Sequence, residues 1–136
     1  MIMRITRKSE YALLALVHLA QCYDKNLCSV KEISEKNKIP KKFLEQIFNT
    51  LRAGGYVLST RGPSGGFALS KPANQITVAE IFRLIEGHLA PVQSVSLKSY
   101  KATPIEQNEK IIHMMKDIRD YVAEKLEGTT IEDLIQ

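Results

Sequence analysis

The chain has 136 residues, 44% hydrophobic and 25% charged, with a formal net charge of +4. That excludes wholesale disorder and fits one domain with, at most, a small accessory element. No apolar run reaches the ~18–20 residues that span a bilayer, and Met1-Ile2-Met3-Arg4 leads into a charged segment rather than a signal core, so a cytoplasmic protein with no membrane partner is expected.

The charge is unevenly placed. Residues 1–72 carry 12 Lys+Arg against 5 Asp+Glu, a net of +7, and residues 73–136 carry 7 against 10, a net of −3. A basic first half is what a polyanion-binding surface needs, and equally what a solubilising surface provides.

The first element spans Thr6 to about Cys22. Its near-continuous apolar run Tyr11–Ala20 is too long for a strand and too short to span a membrane, so it predicts a buried helix. Cys22 and Cys28 follow without a CxxC pair, which excludes a disulfide framework and a four-cysteine zinc site. Ordinary thiols are expected there, with redox sensing as the alternative. His18, His88 and His113 are too dispersed to suggest a metal site, and none is expected. Ser29 and Glu32 have capping-box spacing and open a short second helix that fades near Lys38. Pro40 starts a third helix to about Ala53, in which Leu44, Ile47, Phe48 and Leu51 form an apolar stripe. Its other face carries Lys41, Lys42, Glu45, Gln46, Asn49 and Arg52, and Gly54-Gly55 ends it.

The period then changes. Tyr56–Thr60 and Phe67–Ser70 are β-prone and flank Arg61-Gly62-Pro63-Ser64-Gly65-Gly66, which predicts a hairpin. Thr77 and Glu80 form a second capping box, opening a helix with Ile81, Leu84 and Ile85 inward and Gly87 at its end. Residues 88–103 are irregular. Thr103-Pro104-Ile105-Glu106 predicts the start of a helix running to about Leu126, roughly 35 Å at about 1.5 Å per residue. Ile111, Met115, Ile118, Val122 and Leu126 recur along it at heptad-like spacing and need a cover. Residues 130–135 can add a short turn.

Helix, helix, tight turn, helix and hairpin is the order of a winged helix-turn-helix. The major groove accepts one α-helix. Lys41 and Lys42 sit at the N-terminal end of the third helix, where the dipole also favours phosphate. Glu45 can accept from cytosine and Gln46 can pair with adenine. Arg61, in a Gly/Pro turn, can enter a narrow minor groove. Read singly, these are a solvated helix face and a loop charge; read together, they predict binding to double-stranded DNA. No catalytic triad, paired carboxylate site, P-loop or dinucleotide fingerprint is present, so an enzyme is not expected.

Met3-Arg4-Ile5-Thr6, Tyr11-Ala12-Leu13, Phe43–Ile47, Leu51-Arg52, Gly54–Val57, Ser59–Gly62, Gly65–Leu69, Lys71-Pro72, Ile76-Thr77 and Ile85-Glu86-Gly87 occur in the order and spacing of a known family. The sequence resembles the Rrf-type family of bacterial winged-helix repressors that includes the IscR, NsrR and CymR regulators. The resemblance covers about residues 3–92 closely and the long helix by length and placement. It implies a homodimer paired through the long C-terminal helices and reading a palindromic operator. Glu45 and Gln46 would face bases and Arg61 would enter the minor groove; Lys41, Lys42, Phe43, Asn49 and Gly62 complete the expected DNA-binding set. Phe43 stands where members often carry Tyr, so a phosphate-contacting hydroxyl is missing. Many members also hold an iron–sulfur cluster on three loop cysteines. Here Ser94 and Ala102 stand at two such places, and no cysteine follows Cys28.

The expected organisation is a mainly α winged helix-turn-helix domain with a small β-hairpin over 1–87, an effector or linker loop over 88–103, and a dimerisation helix and tail over 104–136. The expected function is a cofactor-free, homodimeric transcription repressor whose effector, protein or small molecule, the sequence does not name. A winged-helix docking module and a cluster-bearing redox sensor are the alternatives.

Overall fold

The computed structural model describes residues 5–22, 28–60, 65–87, 95–96 and 100–136. Arg61, Gly62 and most of the predicted linker fall outside these residues. Helix α1 (Arg7–Gln21) is central and packs against each of the next three helices. Its apolar run buries Ala12, Ala15, Leu16 and Leu19. Helix α2 (Val30–Asn37) is capped by Ser29, whose hydroxyl accepts from the Glu32 N–H at 3.1 Å. It ends in Lys38, which adopts the left-handed conformation at φ 56°. The turn is held by Ile39 N–H on the Ser34 carbonyl (3.1 Å) and by Ser34 Oγ on the Ile39 carbonyl (2.5 Å). Helix α3 (Lys41–Ala53) then runs from Pro40 and buries the four predicted stripe residues, Leu44, Ile47, Phe48 and Leu51. Gly55, at φ 84°, supplies the left-handed residue that stops it.

Strands β1 (Val57–Thr60) and β2 (Gly66–Leu69) pair antiparallel, with Val57 opposite Leu69 and Thr60 opposite Gly66. On its other edge β2 receives Cys28, which exchanges both backbone hydrogen bonds with Phe67, at 3.0 and 2.8 Å. A Cβ on Gly66 would collide with the Cys28 carbonyl, so only glycine allows that approach.

Helix α4 (Val78–Glu86) begins in the complete Thr77–Glu80 capping box. It buries Val78, Ala79, Ile81 and Phe82, whereas Leu84, expected inward, is 36% exposed. The helix lies in a corner between α1, α3 and α5, and Leu84 sits at its rim, against Gly54 at the end of α3.

The helix predicted from Pro104 is in fact two pieces. Pro104–Gln107 forms a 3-10 turn, and α5 (Glu109–Glu127) starts afresh at Asn108. The Thr103 hydroxyl makes no cap; it is buried without a hydrogen-bond partner. Asn108 Oδ1 caps instead, accepting from the N–H groups of Lys110 (3.0 Å) and Ile111 (3.1 Å). Asn is among the strongest N-cap residues, which is why the break falls there. After α5 the chain returns to the core formed by α1 and α3. Thr130 bridges Thr77, Ile131 N–H donates to the Ile76 carbonyl at 2.9 Å, and the Ile131 side chain is completely buried in the same core as Leu16 and Phe48.

Candidate nucleic-acid interface

Burying Leu44, Ile47, Phe48 and Leu51 turns the opposite face of α3 outward. Lys41, Lys42, Glu45, Gln46, Asn49 and Arg52 are all exposed on it. The first turn of α3 holds no acidic side chain, so its positive end and the two lysines act in the same direction on a phosphate. Phe43 is not on this face. It is half-buried and meets Tyr11 of α1 edge-on, with ring centroids 5.5 Å apart. The ring anchors α3 to α1, because an apolar aromatic gains more from that contact than from water.

Arg52 ties the helix to the wing. Its guanidinium donates to Asn49 Oδ1 and to Ser59 Oγ, both at 3.3 Å. Phe67 of β2 stacks on Phe48 of α3 at 4.2 Å. At the base of the wing, Tyr56 donates to Glu80 Oε1 (3.3 Å), and the Lys71 ammonium lies over its ring at 5.0 Å. Burial and the Glu80 carboxylate both hold the Tyr56 hydroxyl above its ordinary pKa. Helix and wing are thus braced as one unit. Arg61 and Gly62, the predicted minor-groove residues, lie outside the described residues.

The predicted seam of α5 divides. Ile111, Met115, Val122 and Leu126 are half-buried within the chain, while Ile118 is 40% exposed. Met114 and Tyr121, which sequence spacing missed, are 50% and 72% exposed and flank Ile118 along the helix. Arg83 of α4 pairs with Glu127 at 2.6 Å, and the most exposed apolar row of α5 is Met114, Ile118 and Tyr121, with the half-buried 111–126 stripe beside it.

Below the wing the cysteines depart from expectation. Cys22 and Cys28 are joined by a disulfide, with Cα atoms 6.5 Å apart, rather than standing as separate thiols. The end of α1 and the Cys28–Phe67 pairing bring them together, a long-range contact that their spacing could not reveal. His18, one helical turn before Cys22, lies beside both. Its Nδ1 is 3.0 Å from the Asn37 amide, and burial, reinforced by Lys36 against the opposite pull of Glu32, lowers its pKa.

A tri-helical core, a braced third helix and an antiparallel wing define a winged helix-turn-helix DNA-binding protein. Comparison with known proteins agrees. The profile of the Rrf2 family, described as an iron-dependent transcriptional regulator, matches residues 5–136. The HTH-type transcriptional regulator CymR of Bacillus subtilis is 33% identical over 132 residues, covering 97% of this chain and 89% of that relative. The solved structure of CymR, the global cysteine regulator of B. subtilis, matches with a TM-score of 0.80 over 96% of this chain and 95% of its own. The structure of an IscR from T. potens is 27% identical with a TM-score of 0.76, covering 96% of this chain and 85% of that one. The chain belongs to the Rrf2 family, and with it to the DNA-binding transcription regulators rather than the enzymes. No helix among the described residues is long and apolar enough to cross a membrane.

The family description raises iron. An iron–sulfur cluster is held chiefly by thiolates, and residues 29–136 contain no cysteine. The donors of the 88–103 segment do not fit such a cluster, and no step is assigned to one.

Proposed function

We propose that the protein is a homodimeric repressor that reads a palindromic operator without an iron–sulfur cluster. The supporting observation is the exposed row of α3, Lys41, Lys42, Glu45, Gln46 and Asn49, fixed to the wing by Arg52. In this reading Lys41 and Lys42 hold phosphates, Gln46 and Asn49 address base edges, and Glu45 selects against the wrong ones. Arg61 and Gly62 reach the minor groove from the wing tip. The dimer forms along α5, with Ile118 at the centre of its apolar face and Ile111, Met115, Val122 and Leu126 beside it. Two-fold symmetry then places two recognition helices about one DNA turn apart, roughly 34–36 Å, or a multiple of it.

Salt dependence tests the DNA contact. Affinity for the operator should fall linearly with salt on logarithmic axes, with a slope of about −0.9 per phosphate neutralised. The Lys41→Ala/Lys42→Ala variant should have a shallower slope, by about 1–2. An unchanged slope removes the lysines from the interface.

A further inference from the structure

Three side chains that favour soft metals converge beneath the wing. The ligand atoms of His18, Cys22 and Cys28 all lie within 4.8 Å of one another. His18 and Cys22 are four residues apart at the end of α1 and so share one face. Cys28 is brought to them by its two hydrogen bonds to Phe67. We propose that His18, Cys22 and Cys28 form a binding site for a divalent cation of the zinc class, which the two sulfurs hold only when they are not joined to each other.

The chemistry fits the donor set. Zinc takes thiolate at about 2.3 Å and imidazole at about 2.0–2.1 Å in a tetrahedron, which sets ligand atoms roughly 3.5–3.8 Å apart. The present cluster reaches that spacing once the S–S bond opens and the sulfurs part. Cys28 is 1% exposed, whereas Cys22 and His18 are half-buried. The inner ligand is thus shielded, the outer two admit the ion, and a fourth position is left for water. The Asn37 amide nitrogen holds the imidazole at 3.0 Å from Nδ1 and is itself held by the Ile33 carbonyl at 2.9 Å, whereas a metal-bound histidine needs an acceptor there. Metal binding at His18 Nε2 therefore requires the Asn37 amide to turn, giving up the Ile33 bond and offering its oxygen to the Nδ1–H.

The exchange is balanced. Two molecules of a small thiol reduce the disulfide, giving Cys22 and Cys28 two electrons and two protons and leaving as their own disulfide. Metal binding then releases both thiol protons as the two metal–sulfur bonds form. In the reverse direction hydrogen peroxide takes two electrons from the bound thiolates. The S–S bond forms, both metal–sulfur bonds break, the cation leaves, and two protons are taken up as the peroxide becomes two waters. Cys28 pairs with Phe67, which stacks on Phe48 of α3, so the site adjoins the wing strand β2 and reaches α3 through one ring. The inference stands apart from the operator reading.

The test uses the full chain, reduced, freed of reductant and titrated anaerobically with Co²⁺. Expected is one Co²⁺ per chain, with thiolate-to-cobalt charge transfer and tetrahedral ligand-field bands that vanish as Zn²⁺ displaces it. Folded His18→Ala and Cys22→Ser proteins should each bind about tenfold or more weakly. Peroxide should release bound zinc while consuming two thiols per chain. Two outcomes overturn the proposal: no Co²⁺ uptake by folded protein with both thiols titratable, or uptake by His18→Ala equal to that of the wild type.

Discussion

Glu86, the last residue of α4, caps Thr6, the residue before α1, across 80 positions of sequence. Its Oε2 accepts from the Thr6 N–H at 2.8 Å and from the Thr6 hydroxyl at 2.6 Å, and also from the Ser9 hydroxyl at 2.6 Å. Thr6 therefore does not cap its own helix. A distant carboxylate meets one backbone donor and two hydroxyls at the positive end of α1 and clamps the two helices.

Glu86→Ala should destabilise the fold by about 2–3 kcal/mol, since charge-assisted hydrogen bonds are lost and a buried serine is left without this acceptor. Urea unfolding measures this. A change below about 0.5 kcal/mol would show the clamp to be incidental.

The Thr77–Glu80 box gives a pH dependence. Burial pushes the Glu80 carboxyl up, but hydrogen bonds from Thr77 and Tyr56, with Lys71 nearby, outweigh it and hold it below its ordinary 4.5. A carboxylate lowered on folding stabilises above the unfolded pKa, and that stability is lost as pH falls through the folded value. The stability gap between wild type and Glu80→Gln should therefore be open at neutral pH and close under acid. A gap independent of pH would contradict the assignment.

The winged helix-turn-helix was legible because its signals are local. Leu44, Ile47, Phe48 and Leu51 gave the inner face of α3, Ser29 and Thr77 gave two helix starts, and Gly55 gave a stop. What was not legible depends on distant contacts or on competing caps. Thr103 offered a capping box, but Asn108 starts α5, since two adjacent caps cannot be ranked from spacing. Phe43 sits at the border of the α3 stripe, and only Tyr11 decides which way it turns. Cys22 and Cys28 meet because Cys28 is hydrogen-bonded to a strand almost forty residues later. The His18–Cys22 spacing of four puts both on one face of α1 and is the one local signal of their proximity. A lone isoleucine after a helix, as Ile131 is, gives no hint that it returns to the core.

Glu45 repels phosphate, so its position on the exposed row of α3 points to selection rather than affinity. Glu45→Ala should enlarge the set of bound sequences while lowering affinity for the best operator less than about tenfold. Competitive selection from a random duplex pool measures this. An unchanged preference would leave Glu45 a solvated side chain.

Ile118 is 40% exposed in the single chain, so Ile118→Glu should leave the protomer folded. In the proposed dimer the same charge is buried unpaired, at a cost of several kcal/mol. The variant should sediment as a folded monomer with native circular dichroism and weakened operator binding. A stable dimer of native operator affinity would move the interface away from the Met114–Ile118–Tyr121 row.

The most direct measurement is the sequence that the wild-type protein itself selects from random double-stranded DNA. Two-fold pairing through α5 and reading by α3 predict an inverted repeat whose half-site centres are about 10–10.5 base pairs apart or a multiple of that, recovered by a complex of two chains. Enrichment of an asymmetric site bound by one chain, or no enrichment at all, would contradict the account.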